Sequence, residues 1–240
     1  MSGTSGAGQR LVRCSVAGVV VCAILAASAC SGGNDAVPEG EDSDAISEED
    51  LLGLLPALSE LPAGWIRSAD EDEDDDSPFC EQINDLEDFD DLGLPNAGVD
   101  YESSGGDEFR TAAVTVFGSE TEAIEDNRQR LDAFFDPECA EVEAETDGIM
   151  FRFGVSEAST GSDDLDGVLV TLSLAEDADG YEEGTTFGNI FGVTTVVGRC
   201  LVAASFGSDG LFSMPPSESE IDEWVTPIVA NVNGFDGCAP

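Results

Sequence analysis

The sequence predicts an α+β domain, an antiparallel sheet with helices packed on one face and two disulfides. Apolar and other residues alternate over Ile149–Val155 and again over Val168–Leu174, which is the period of a half-buried strand. Helix-start signals precede apolar stretches of helical spacing. Four cysteines follow the first 79 residues at wide spacing, which is typical of structural disulfides in an exported protein.

The chain begins with an export signal. Arg10 and Arg13 precede an apolar run that ends in Ala27-Ser28-Ala29-Cys30, and this run is shorter than a membrane-spanning helix requires. The last four residues resemble a bacterial lipobox, with Ala27 where that pattern prefers Leu. We predict a lipoprotein signal peptide over 1–29 and lipidation of Cys30. The alternative is ordinary cleavage after Ala-Ser-Ala and secretion.

A tether and a helix follow the signal. Residues 30–46 are small, polar and acidic and predict a flexible tether, so the folded domain is expected over 47–240. Ser47 with Asp50 forms a helix-start signal before a leucine-rich stretch. Leu61-Pro62-Ala63-Gly64-Trp65 ends this helix in a turn. Seven consecutive acids, Asp70 to Asp76, predict an exposed loop because like charges repel.

Strands and helices alternate in the rest of the chain. Glu108–Phe117 is rich in strand-forming residues, and Ser119 with Glu122 then starts a helix. The inner side of this helix is predicted to carry Ala123, Ile124, Asn127, Leu131, Phe134 and Phe135. Two further strands, Phe187–Val197 and Cys200–Phe206, are predicted to join through a Gly198-Arg199 hairpin turn.

A helix closes the domain. Ser217 with Glu220 starts it, and Pro227 is expected to kink or split it. Its apolar residues recur at helical spacing, namely Ile221, Trp224, Val225, Ile228, Val229 and Val232. The segment Gly184–Gly192 has two interpretations, the lining of a cleft or a strand whose aromatics lie in the core.

The cysteines predict disulfides and no metal centre. Cys80, Cys139, Cys200 and Cys238 are separated by 59, 61 and 38 residues, and the chain has no histidine, so no zinc-ligand spacing is present. Three pairings are open, of which we favour Cys80–Cys139 and Cys200–Cys238. Lipidation of Cys30 accounts for the odd cysteine of the exported chain.

The charge excludes some partners. Without residues 1–29 the chain has 6 basic and 52 acidic side chains, a net charge of −46. Direct binding of nucleic acid or of anionic lipid headgroups is therefore not expected, since both need a cationic surface. The acids are spread along the chain, as on the surfaces of proteins from salt-loving organisms. The acidic turns at 162–167 and 176–180 lack the Glu that closes an EF-hand loop, so no metal and no cofactor are predicted.

Enzyme chemistry is narrowly limited. Without His or Lys the chain has no Ser-His-Asp triad, no Cys-His pair and no Schiff-base lysine. Carboxylate chemistry of the glycosidase kind remains, but no pair stands out among 52 acids. We predict no enzyme activity and no catalytic residues.

The layout around Leu61-Pro62-Ala63-Gly64-Trp65 resembles actinobacterial surface lipoproteins. It is also similar to the extracellular sensor-type domains of actinobacterial receptor Ser/Thr kinases, over most of 47–240. The resemblance implies an α+β domain with two disulfides that binds or senses an unidentified ligand. It also implies an extracytoplasmic position, on the outer face of the cell membrane. The alternatives are a structural or protein-interaction lipoprotein of the cell envelope and, third, a carboxylate-dependent hydrolase.

Overall fold

A computed structural model describes residues 46–68, 86, 89, 92–106, 108–146, 149–162, 164–178, 180–209 and 215–240. Within them lie three α-helices: α1 (Glu48–Leu52), α2 (Glu120–Phe134) and α3 (Glu218–Asn233). Cys30, Cys80, the acidic run and the predicted signal peptide lie outside the described residues. The strands are β1 (Trp65–Arg67), β2 (Asn96–Ser103), β3 (Glu108–Val116), β4 (Glu141–Thr146), β5 (Ile149–Glu157), β6 (Asp166–Leu174), β7 (Thr186–Val197) and β8 (Cys200–Asp209).

All eight strands form one antiparallel sheet in the order β1-β2-β3-β8-β7-β6-β5-β4. Two meanders, β1 to β3 and β4 to β8, meet where β3 pairs with β8 through Ala112–Ala204 and Ala113–Ala203. Helix α2 lies between the meanders along the chain. The predicted antiparallel sheet is confirmed, and sheet dominates the domain more than the sequence indicated.

The prediction that the helices pack on one face is wrong. Helices α1 and α3 share a core cluster with Val202 and Ala204 of β8, while α2 lies over Leu201 and Ala203. Successive strand residues point to opposite faces, so the helices cover both sides of the sheet. The physical reason is in β8, where residues 200 to 206 are all buried. A strand buried on both faces is a nearly continuous apolar run.

Three strands were not predicted: β1, β2 and β4. In β2 the buried residues Ala97, Val99 and Tyr101 alternate with half-buried ones. Polar residues and glycine alternate with these apolar residues, so the period of two is present in the sequence, although the strand was not predicted from it. In β4, which forms one edge of the sheet, Glu141 and Glu143 are exposed, and charge on an edge strand discourages pairing with another chain.

The helix starts follow the sequence. Ser47 and Ser217 each form a complete capping box, with Asp50 and Glu220 respectively. Ser119 accepts a bond from the Glu122 backbone N–H. Pro227 lies inside α3, which continues from Glu218 to Asn233 without being split. No helix in the described ranges is long and apolar enough to cross a membrane.

The β7–β8 hairpin is anchored to the end of the chain. Gly198 has a φ of +55°, and a Cβ there would lie 1.9 Å from the Cys238 carbonyl oxygen, so only glycine fits. The Arg199 backbone N–H donates to Cys238 O at 3.0 Å, and its Nε donates to Gly237 O at 2.8 Å. The Cys200–Cys238 disulfide joins the same two segments.

Candidate functional site

Helix α2 places polar side chains against the sheet. Its buried residues are Ala123, Asn127, Arg130 and Phe134, which recur at helical spacing. Two residues predicted for this inner side are exposed instead, Ile124 at 49 % and Phe135 at 38 %. The helix therefore presents an amide and a guanidinium to the sheet, in place of a wholly apolar surface.

A cavity of about 20 Å³ lies between α2 and the sheet. Its floor includes Gly192, Thr194 and Ala203, and these small side chains leave the space beneath the helix unfilled. Phe89 also lines it. The volume is about that needed for one water molecule, so the space is an internal site and not an open cleft.

Two buried oxygen atoms at this cavity have no hydrogen-bond partner among the described residues, Asn127 Oδ1 and Thr194 Oγ1. Asn127 Nδ2 donates to Asp166 Oδ2 at 3.1 Å, which fixes which end of the amide is the acceptor. A buried polar atom without a partner costs about 1–3 kcal/mol. The site is thus prepared to receive a hydrogen-bond donor.

Arg130 supplies positive charge beside these oxygens. Its Nε donates to Asp126 Oδ2 at 2.8 Å, and its Cζ lies 3.9 Å from the centroid of the Phe89 ring. The carboxylate and the ring hold the guanidinium in one orientation. Together the side chains of Asn127, Thr194 and Arg130 can hydrogen-bond a small polar group. None of the Asp and Glu side chains whose burial the structure describes is buried, so no buried carboxylate pair is seen among them.

The structure describes three of the five predicted cysteine sites, namely Cys139, Cys200 and Cys238. Cys200–Cys238 is a disulfide with a Cα–Cα distance of 5.2 Å, which confirms that pairing. Cys139 is buried and disulfide-bonded, and Cys80 lies outside the described residues, so Cys80–Cys139 stays a prediction. Lipidation of Cys30 stays a prediction for the same reason. The described residues contain no group of three His, Cys, Asp or Glu side chains suited to a metal ion.

The sequence predicted part of this cavity and missed the rest. It placed Asn127 on the inner side of α2, and it proposed Gly184–Gly192 as a cleft lining or a core strand. The structure supports the core strand, because Phe191 is in the core, while Gly192 borders an enclosed cavity and not a cleft. It missed Arg130 and Thr194. Arg130 lies three residues after Asn127 and four before Phe134, and this spacing was the available signal.

No protein-family model matches the chain, and no curated protein sequence matches it. Among solved structures, the fold is similar to that of the extracellular domain of PknH from Mycobacterium tuberculosis, with a TM-score of 0.52 and 17 % sequence identity. The match covers 79 % of this chain and 98 % of the other. The likeness is one of fold, and it extends over nearly the whole length of the PknH extracellular domain.

Proposed function

We propose that the protein is an extracytoplasmic, sensor-like binding module, held at the outer face of the cell membrane by a lipid on Cys30. Three observations support this. The sequence at Ala27–Cys30 resembles a lipobox, the Cys200–Cys238 disulfide is typical of an oxidising compartment, and the fold is similar to an extracellular domain. A second disulfide, Cys80–Cys139, belongs to the same proposal, and non-reducing peptide mapping tests it.

The observation that carries the binding function is the pair of unpartnered oxygens under α2. Asn127 Oδ1 on α2 and Thr194 Oγ1 on β7 are buried without a partner among the described residues. A ligand with hydrogen-bond donors would satisfy both atoms. Because the cavity holds about one water, a larger ligand requires α2 to move away from the sheet. Binding would then shift a helix, which is what a sensor needs.

The acidic surface is proposed to adapt the protein to high salt. Carboxylates at this density repel one another unless salt screens them. We expect thermal stability to rise with sodium chloride, and to rise equally with calcium chloride at matched ionic strength. A gain in thermal stability that is specific to calcium would contradict the proposed salt adaptation of the acidic surface and would indicate a cation site.

Native mass spectrometry of the mature protein, compared with its denatured mass, tests the binding function. We expect extra mass that disappears on denaturation. Thr194→Val should lose that mass, because the hydroxyl is removed at constant shape. Thr195→Val is the matched control, since its hydroxyl already donates to Asp164 O at 2.7 Å on the opposite face of the sheet. If the native and denatured masses of the wild-type protein are equal, the result would instead favour a partner-binding or structural protein of the cell envelope.

A further inference from the structure

A second cluster lies on the other face of the sheet, at Arg110 of β3. Arg110 is paired with Tyr101 of β2 and with Phe206 of β8. Its Cζ lies 5.1 Å from the ring centroid of Trp65 and 5.3 Å from that of Trp224. Both distances are within the range of cation–π attraction. These are the two tryptophans of the whole chain.

The aromatic frame around Arg110 is rigid. Trp224 is buried, and its indole Nε1 donates to Thr111 O at 3.1 Å. Tyr101 is also buried, meets Trp224 edge to face at 6.4 Å, and donates its hydroxyl to Pro56 O. A guanidinium that contacts rings fixed in this way loses little conformational freedom when it binds a further group.

Arg110 has no carboxylate partner in the described part of the chain. No ion pair or hydrogen bond joins its guanidinium to any described residue, and the same holds for Arg67, which is exposed on β1. By contrast, Arg152 has three glutamates within 3.7 Å. Both arginines are paired across the sheet with Tyr101, Arg67 from β1 and Arg110 from β3, so their side chains lie on the same face of the sheet.

Glu220, whose carboxylate interacts electrostatically with Arg110, already accepts hydrogen bonds in the capping box of α3. Glu220 is close enough for Arg110 to help lower its pKa, but its Oε2 accepts from Ser217 N and Ser217 Oγ at 2.8 and 2.6 Å. It therefore serves as the cap of α3. Among the described residues, none accepts a hydrogen bond from the guanidinium N–H donors of the half-buried Arg110.

We propose that Arg110 and Arg67 bind an oxyanion, the carboxylate or phosphate group of a small ligand, with the half-buried Trp65 contacting its apolar part. The planar guanidinium donates two parallel hydrogen bonds to either group. Trp, Tyr and Arg are also the side chains that dominate binding sites energetically. The net charge opposes an anion at low salt, but at about 1 M salt the Debye length falls to about 3 Å, and only the local contacts remain. This inference does not depend on the cavity under α2.

Tryptophan fluorescence tests the proposal, because both tryptophans of the chain adjoin Arg110. The full chain, processed and purified from its expression host, is titrated with inorganic phosphate and separately with succinate. Ionic strength is held at about 1 M with sodium chloride. We expect a saturable change with one of the two probes, and the probe that binds identifies the oxyanion. Arg110→Gln should weaken it at least about tenfold, as expected for one charge-assisted hydrogen bond.

Two further variants complete the experiment. Arg128→Gln, exposed on α2 at the opposite face, should leave the titration unchanged. Arg67→Gln removes an exposed side chain on an edge strand, so it should weaken binding and leave the unfolding midpoint unchanged. If Arg110→Gln does not fold, Arg67→Gln tests the proposed site in its place. The proposal is overturned if neither probe gives a saturable change, or if Arg110→Gln, or Arg67→Gln in its place, titrates like the wild type.

Discussion

The two faces of the sheet are packed by different means. On one face α3 presents Ile221, Trp224, Val225, Ile228 and Val232, all buried in one apolar cluster with β3, β7 and β8. On the other face α2 presents Asn127 and Arg130 over a cavity. A wholly apolar interface stabilises by area removed from water, whereas a polar one costs stability unless its atoms are satisfied. We infer that the apolar residues of the α3 interface maintain the fold, whereas the α2 interface holds buried polar atoms that a bound group could satisfy.

The largest effect is expected from Ile228→Ala on α3. Ile228 is fully buried, so the change removes apolar contacts and leaves a cavity, at a cost of about 2–5 kcal/mol in the free energy of unfolding. Ile124→Ala on α2 is the matched control, since Ile124 is 49 % exposed, and it should change stability by about 0.5 kcal/mol or less. Urea unfolding measures both. Equal losses of stability in the two variants would contradict the proposal that α3, and not α2, maintains the fold.

Removal of the Cys200–Cys238 disulfide should have the next largest effect. The bridge spans 38 residues, which corresponds to about 3–4 kcal/mol of restricted unfolded chain. The double variant Cys200→Ala, Cys238→Ala should lower the urea midpoint accordingly and keep a native circular dichroism spectrum. A loss below about 1 kcal/mol would show that the bonds from Arg199 to the chain end hold the hairpin without the bridge.

A pair of adjacent threonines compares the two faces directly. Thr195 Oγ1 donates to Asp164 O, whereas Thr194 Oγ1 at the cavity has no partner among the described residues. Thr195→Val should therefore cost about 1–3 kcal/mol, while Thr194→Val in ligand-free protein should cost less or stabilise. Chemical unfolding of both variants decides it. A larger loss in Thr194→Val would mean that its hydroxyl is satisfied in solution.

The capping box of α3 should give the smallest effect, and one that depends on pH. Bonds from Ser217, helped by Arg110, lower the pKa of Glu220 below its ordinary 4.5. A lowered pKa stabilises the fold above the unfolded value, and this contribution is lost as pH falls through the folded pKa. Ser217→Ala should cost about 1 kcal/mol at neutral pH. Glu220→Gln should show a loss that shrinks in acid, and unfolding at several pH values measures this. Glu223→Gln, at an exposed position of α3, is the control for the removal of a carboxylate. A loss of stability in Glu220→Gln that does not depend on pH would contradict the role given to the Glu220 carboxylate in the capping box.

Local signals predicted the elements that depend on local chemistry. Ser47, Ser119 and Ser217 each begin a helix where expected, because a cap is formed by residues three apart. The Gly198-Arg199 turn joins β7 and β8 as predicted, because a two-residue hairpin loop determines its own register. Strand β4 was missed because its exposed glutamates carry no apolar signal of their own, and its place is given by pairing with β5.

By itself the sequence determined the antiparallel class of the sheet and the helix starts, and among three open pairings it favoured Cys200 with Cys238. Tertiary structure alone decided that helices cover both faces, that Asn127 and Thr194 meet at one cavity, and that Arg110 lies between the two tryptophans. The physical reason is distance along the chain. Caps, turns and alternation arise among near neighbours, whereas Asn127 and Thr194, or Trp65 and Trp224, are brought together only when the strands between them pair.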